Sequence, residues 1–254
     1  AIIVTTLTSL FLVVRYRNVA IEGSVPVPLI TFMAILFTSG LDVGLIMFPL
    51  VDFESFAADP EYAFANPLAL EFGFWGFLVW GFYFLTTFYF CVVEPKLKLF
   101  EIPVIKLANN FCIIGTCAFT GYLFLHYLPD YVAGISDALR FGGVALVVLL
   151  AVLSSTHLRF VKALSLSSTA LFFLLIAGAF LASDMGFVGL GKSLAGLGDY
   201  FGQIHRFVLP LNDYHAFYLF WWFAWSIMIG QFVSRFVGGL TAWQLLLALL
   251  IVPS

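Results

Sequence analysis

Charge is the scarcest commodity in this sequence. Only 10% of its 254 residues are Asp, Glu, Lys or Arg, against roughly 25% in an ordinary soluble domain. A chain this poor in charge cannot solvate a globular surface, so a water-soluble fold is excluded. The same scarcity leaves no basic face for a phosphate backbone, which excludes a nucleic-acid partner. Cysteine is scarce too. Cys91, Cys112 and Cys117 all fall in or at the edge of apolar runs, and an odd number at lipid depth reads as small packing residues rather than disulfides. No metal-ligand spacing, phosphate loop or Ser/His/Asp constellation can be argued, so an enzyme is not expected and no metal or cofactor is called for. A retinal protein needs a lysine in the middle of a late span, and every lysine lies in a connection. A haem bundle needs histidines at lipid depth, whereas His126, His157, His205 and His215 fall at helix ends or in loops. The chain opens at Ala1 inside an apolar run without a charged leader region. The expectation is a processed N-terminus or a start partway along a longer protein.

What the chain has in abundance is apolar length. It is 63% hydrophobic with a mean hydropathy of +1.08, and runs of membrane-spanning length recur along it. The fold class expected is an all-α polytopic membrane protein, a single transmembrane domain over residues 1–254. About seven spans are expected, at residues 2–14, 28–50, 68–93, 107–128, 138–155, 161–182 and 214–237, with 241–252 as the start of an eighth. Residues 183–213 are glycine-rich and too polar to span; they read as an amphipathic connection with Phe187, Leu190, Leu194 and Leu197 on its apolar face.

Charge placement supports that count. Alternate connections carry Arg15 and Arg17, then Lys96, Lys98 and Lys106, then Arg159 and Lys162, then Arg235, eight of the eleven basic residues. The others carry Asp52, Glu54, Asp59 and Glu61, then Asp130 and Asp137, then Asp184, Asp199 and Asp213. The positive-inside rule puts the first set in the cytoplasm, residues 183–213 outside, and the protein in the inner (cytoplasmic) membrane as a multi-pass chain.

Two aromatic stretches stand out. HAFYLFWWFAWSIMIG (215–230) packs Trp221, Trp222 and Trp225 into five residues, more than an interfacial belt requires. FGFWGFLVWGFY (72–83) carries Trp75, Trp80 and Tyr83 among glycines. Ring faces from two helices can form a cage for a cation too bulky to hydrogen-bond, such as a quaternary ammonium; packing among core or lipid-facing rings is the plainer alternative. A third feature is Gly40-Leu41-Asp42-Val43-Gly44, where an acidic residue sits near the middle of a span between two glycines. Such a carboxylate normally faces a partner or a wet cavity, as a ligand for a substrate cation or coupling ion, or else is protonated or caps nearby backbone. Thr116 and Thr120, one turn apart, offer hydroxyls to the same end, or simply bond their own helix backbone.

These residues resemble the betaine/choline/carnitine transporter family. The likeness is strongest in FWWFAWS (220–226), continuing through Phe232 and Arg235 to residues 250–253. Trp75, Trp80 and Tyr83 match the spacing of that family's aromatic box, FTSGLDVGLIMF (37–48) is similar to its glycine-rich unwound helix, and Gly115-Thr116 resembles the start of the helix after the box. The resemblance implies a LeuT-like inverted-repeat transporter fold, here the first five-helix repeat plus the first helix of the second. It implies a cage of Trp75, Trp80, Tyr83 and Trp222, with Trp221 and Trp225 lining the path to it. It also implies Gly40, Asp42, Gly44, Thr116 and Thr120 near a coupling ion, Na+ or H+, or the substrate cation. The sequence departs from the family at Asp42, where the pattern has glycine, at Ile227, where proline is common, and at residues 237–241, where a basic run is usual. It also stops where the second repeat has barely begun, so it is expected to be incomplete relative to the family. The function implied is secondary transport of a quaternary-ammonium or zwitterionic compatible solute. The alternative is a transporter-derived accessory or structural subunit that transports nothing. Partners expected are the solute, the lipid bilayer and an oligomeric or membrane-complex neighbour.

Overall fold

At lipid depth a backbone N–H or C=O has no water to turn to, so apolar runs satisfy their own hydrogen bonds as helices. A computed structural model of the chain describes residues 2–23, 25, 27–40 and 43–251. In chain order it contains α1 (Ile2–Tyr16), β1 (Ala20–Glu22), α2 (Leu29–Gly40), α3 (Val43–Ala58), α4 (Pro67–Trp75), α5 (Trp80–Phe88), α6 (Glu94–Leu97) and α7 (Pro103–Tyr131). These are followed by α8 (Asp137–Ser155), α9 (Leu158–Ala182), α10 (Gly186–Gly202), α11 (Asp213–Val233), β2 (Gly238–Thr241) and α12 (Ala242–Ile251). The protein is an all-α polytopic membrane protein. Among the described residues, four helical runs are long and apolar enough to cross a bilayer: Pro67–Leu97, Pro103–Tyr131, Leu158–Ala182 and Asp213–Phe236.

The expected span at 28–50 is divided between α2 and α3; α2 ends at Gly40 and Gly44 lies in the first turn of α3. Leu41 and Asp42 lie outside the described residues, and with them the acidic position singled out above. The expected span at 68–93 is also composite. α4 starts cleanly, with the Asn66 side chain accepting from the Ala69 N–H at 3.0 Å and Pro67 in the first turn, where no N–H is needed. It stops at Trp75. A short 3₁₀ turn, Phe77–Val79, follows before α5 begins at Trp80. Phe77 holds φ 29°, a left-handed backbone that a bulky side chain adopts only under strain.

One element escapes an all-helical reading. β1 and β2 pair antiparallel, Ala20 with Thr241 and Ile21 with Leu240, with an irregularity before Glu22 meets Gly238. The glycines standing where the resemblance leads one to expect a basic run explain it. Gly239 sits at φ 73°, and a Cβ on Gly238 would lie 2.7 Å from the Val27 carbonyl oxygen. A basic side chain has no room at that approach.

α5 is the centre of the packing, with α1, α11 and α12 laid against it. Trp80, Tyr83, Phe84 and Thr87 of α5, Ile2 and Thr5 of α1, and Leu245 and Leu249 of α12 are all buried where these helices meet. α10 lies on α4, its Tyr200 buried and edge-on to Phe72 at 5.0 Å. Of the α10 residues expected on an apolar face, Phe187, Leu190 and Leu194 stay exposed while Leu197 is half-buried. α7, α8 and α9 form a more open arm, with Leu171, Phe173, Leu174 and Leu175 directed outward, as lipid-facing surfaces require. α9 is tied back to α2 by Phe172 against Phe37 at 5.1 Å and by Thr38 Oγ1 donating to Ser165 Oγ at 3.0 Å. The connections also meet as the charge alternation requires. The ribbon joins the segments that follow Arg17 and Arg235, and Asn212 Nδ2 donates to Glu61 Oε2 at 2.9 Å, joining two acidic connections.

Candidate functional site

On a regular helix, residues five apart point about 140° away from each other. Trp75 and Trp80 would then face different neighbours. The turn at Phe77–Val79 removes that separation, and both indoles reach the same residue on α11. Trp75 lies 5.4 Å from Trp222 between ring centroids, near perpendicular, and Trp80 lies 6.0 Å from it. Tyr83, one turn along α5, is 4.5 Å from Trp80 and 6.0 Å from Trp222. The kink, then, is what lets two runs of sequence 140 residues apart place four rings in one cluster.

Trp222 touches each of the other three rings, and Trp80 touches Tyr83. All are buried, and Trp222 Nε1 donates to the Phe74 carbonyl oxygen at 2.8 Å. A cation binds a ring face within about 6 Å of its centroid. Rings already that close to each other admit a trimethylammonium group only when one of them turns aside. The indole N–H groups of Trp75 and Trp80 are buried with no acceptor among the described residues.

Trp221 stands beside the cluster, 6.1 Å from Trp75 and 6.3 Å from Phe119 on α7. Its far side lines a groove of about 680 Å³ between α7 and α11, together with Trp225, Thr116, Phe119 and Phe220. Trp221 and Trp225 therefore belong to a flank of the cluster rather than its interior. Thr116 lines that flank too, and Thr120 Oγ1 donates to the Thr116 carbonyl at 3.2 Å. That is the backbone-bonding behaviour usual for threonine in a membrane helix. Neither threonine is brought to the four rings.

Above the cluster the structure gathers polar groups that the sequence reading had scattered. Asp52, placed in a loop by the charge pattern, is instead near the end of α3 and only 4% exposed. Its two carboxylate oxygens accept from Tyr214 Oη at 2.8 Å and from Tyr218 Oη at 2.7 Å. These two tyrosines lie one turn apart on α11, with hydroxyls 3.3 Å apart. Tyr218 packs edge-on against Trp75 at 4.9 Å, which links the carboxylate to the cluster. His215 is fully buried, stacked on Phe74 at 4.5 Å, and its Nδ1 accepts from the Leu211 N–H at 3.1 Å. At the outer edge, Asn212 Nδ2 donates to Tyr62 Oη at 2.8 Å. Burial, foremost, lifts the Tyr62 phenol above its usual range, with the Asn212 hydrogen bond pulling the other way; it stays neutral at physiological pH.

Sequence reasoning overlooked Glu71. It lies in α4, 8% exposed, and neither carboxylate oxygen has a hydrogen-bond partner among the described residues. The signal available was its spacing: four residues before Trp75 puts it on the same helix face, one turn away.

The molecule is thus a polytopic helical membrane protein in which a kinked helix and a tryptophan-rich helix share an aromatic cluster. No protein-family model matches the chain. Among curated proteins it is similar to a glycine betaine transporter of Acinetobacter baylyi, 21% identical over 265 residues, which cover 88% of this chain and 40% of that protein. It is also similar to an ectoine/hydroxyectoine transporter of Virgibacillus pantothenticus, 25% identical over 264 residues, 87% of this chain and 52% of that one. The resemblance carried by the two aromatic motifs thus holds across nearly the whole chain. The chain spans about half the length, or less, of the curated relatives it matches. Both relatives are named as transporters rather than enzymes.

Proposed function

We propose that this protein takes part in membrane transport of quaternary-ammonium or related compatible solutes, on a LeuT-like inverted-repeat plan. The solute's cationic head is held among Trp75, Trp80, Tyr83 and Trp222. The observation that carries this reading is the meeting of those four rings, supported by the names of the two relatives. Loading requires Trp222 or a neighbour to swing out, so that ring faces replace ring–ring contacts with cation–π contacts. The orphan indole N–H groups of Trp75 and Trp80 suit an oxygen of the solute, such as the carboxylate of a zwitterion. Trp221 and Trp225 line the approach, and a coupling ion, Na+ or H+, completes the cycle.

The test uses the full-length protein in nanodiscs, with tryptophan fluorescence reporting binding. Choline is expected to quench, and its neutral isostere 3,3-dimethylbutanol is not, because only the cation is attracted to the ring faces. Trp222→Ala is expected to weaken choline binding by up to about 30-fold, the equivalent of ~2 kcal/mol for one desolvated ring. Equal binding of the two isosteres, or an unaffected Trp222→Ala variant, would overturn the reading.

A second reading, an accessory subunit that packs against another membrane complex, is favoured by one observation. The four rings already satisfy one another, and the Trp222 N–H is bonded to backbone, as in a plain core. In that case no cation quenches at all.

Orientation has its own test. In a background lacking Cys91, Cys112 and Cys117, Lys192→Cys on α10 is expected to react with a membrane-impermeant maleimide from outside intact cells. Lys98→Cys is expected to react only after permeabilisation. The reverse pattern would invert the topology.

A further inference from the structure

Of the two buried carboxyls near the proposed cage, Asp52 and Glu71, Glu71 is the one without a hydrogen-bond partner among the described residues, and its surroundings say what it can hold. α3, which packs against α4, carries the other buried acid, Asp52. α4 also packs against α11, which carries Tyr214, His215 and Tyr218, and against α10, which carries Tyr200 and Asp199, the latter accepting from Asn66 Nδ2 at 2.7 Å. None of these side chains is a cation. Asp52's oxygens are both taken by tyrosine hydroxyls; His215 Nδ1 accepts from the Leu211 N–H, which leaves the ring neutral, and its Nε2 is buried with no partner among the described residues.

An ionised carboxylate left alone in a low-dielectric interior is expensive. It is tolerated when the group carries a proton or when a positive charge comes close. A metal ion of sodium's kind wants several oxygen ligands at once, and the other two carboxylates named, Asp52 and Asp199, already accept side-chain hydrogen bonds. A single proton needs nothing but Glu71 itself. An organic cation in the cage would sit against Trp75, one helical turn, about 5.4 Å, along α4 from Glu71, and so could replace the proton as compensation.

Building on the cage reading above, we propose that Glu71 is a proton-exchange site. It releases its proton to water when an organic cation occupies the aromatic cage, and takes one up when the cation leaves. The O–H bond of the carboxyl breaks, the proton passes to solvent, and one positive charge enters as one departs. The buried region keeps the same net charge in both states. Because the two events share one equilibrium, cation affinity rises with pH, by up to about tenfold per unit over the range in which the exchange is complete.

The experiment measures proton release and binding together on the full-length protein in nanodiscs, in lightly buffered solution. A pH-indicator dye follows protons while tryptophan fluorescence follows choline or tetramethylammonium. The expected result is close to one proton released per cation bound. In Glu71→Gln, residual binding releases none and no longer depends on pH. Infrared difference spectra of the wild type provide a readout that needs no variant, since a carboxylic-acid C=O band should disappear on adding the cation. Binding without proton release, persistence of the release in Glu71→Gln, or no loss of such a band would overturn the proposal and leave the cage standing. Equal release on adding NaCl alone would also overturn it, by making Glu71 a metal-ion ligand. Absence of any fluorescence response in the wild type would instead remove the cage, and this exchange with it.

Discussion

Gly230→Val is expected to cost more stability than any other single change on the α5–α11 seam. A Cβ built at Gly230 would lie 2.5 Å from Thr86 Oγ1, 2.6 Å from Thr86 Cβ and 2.8 Å from the Thr86 carbonyl carbon. The hydroxyl cannot simply rotate away, because the obstruction includes backbone. Thr86 Oγ1 is also held by the Phe82 carbonyl at 3.0 Å. The two helices must therefore separate, and α11 carries Trp222 on the same seam. Overpacking of this kind costs about 1–3 kcal/mol, occasionally more. Thermal unfolding in detergent should register a lowered midpoint for Gly230→Val and a smaller drop for Gly230→Ala. Gly121→Ala is the control: on α7 nothing lies within 4 Å of the added carbon, and helix propensity favours the change by up to about 1 kcal/mol. A Gly230→Val protein as stable as the wild type would refute the close seam.

The second large effect concerns Asp52. Its carboxylate is buried and held by two phenol hydroxyls, and a hydrogen bond to a charged group contributes about 1.5–3 kcal/mol. Tyr218→Phe should cost the larger share, because Tyr218 is 1% exposed and water cannot replace its hydroxyl. Tyr214 is 41% exposed, so Tyr214→Phe should cost less. The double variant should cost more than the sum, since it strands the carboxylate with no donor among these residues. Asp52→Asn in the double background should recover part of the loss by removing the charge. Urea or thermal unfolding of the four proteins decides the matter; equal and additive losses would mean that Asp52 is solvated in the membrane-bound protein.

Much of this arrangement was legible before any coordinates, and the reasons are specific. Trp75, Trp80, Tyr83 and Trp222 announced themselves because tryptophan is costly to waste and its spacing survives in a one-dimensional reading. That they converge depends on the turn at Phe77–Val79, which no periodicity of 3.6 reveals. Asp52 was read as part of an acidic loop because charge counting rewards placement outside the bilayer. Only tertiary packing brings two tyrosines, 162 and 166 positions away, to receive it. Glu71 went unremarked for the same reason, being hidden near a span's end. The β1–β2 pairing was invisible because strands of three and four residues between helices have no pattern of their own, and the two lie more than 200 residues apart.

That pairing sets a timetable for synthesis. β1 leaves the ribosome more than 200 residues before the partner strand that completes it. At 5–20 residues per second the delay is on the order of 10–40 s. Throughout it the N–H groups of Gly23 and Val25, which finally donate to the Val237 and Arg235 carbonyls at 2.7 and 2.8 Å, have no protein acceptor. The early segment must wait, extended and hydrated, at the membrane face on which Arg15 and Arg17 lie. α12, which packs beside α1, is made later still. Among the described helices α1 is therefore made first yet gains its α12 neighbour only after some 225 further residues have been added, an order-of-magnitude wait of about 10–45 s at the same rate.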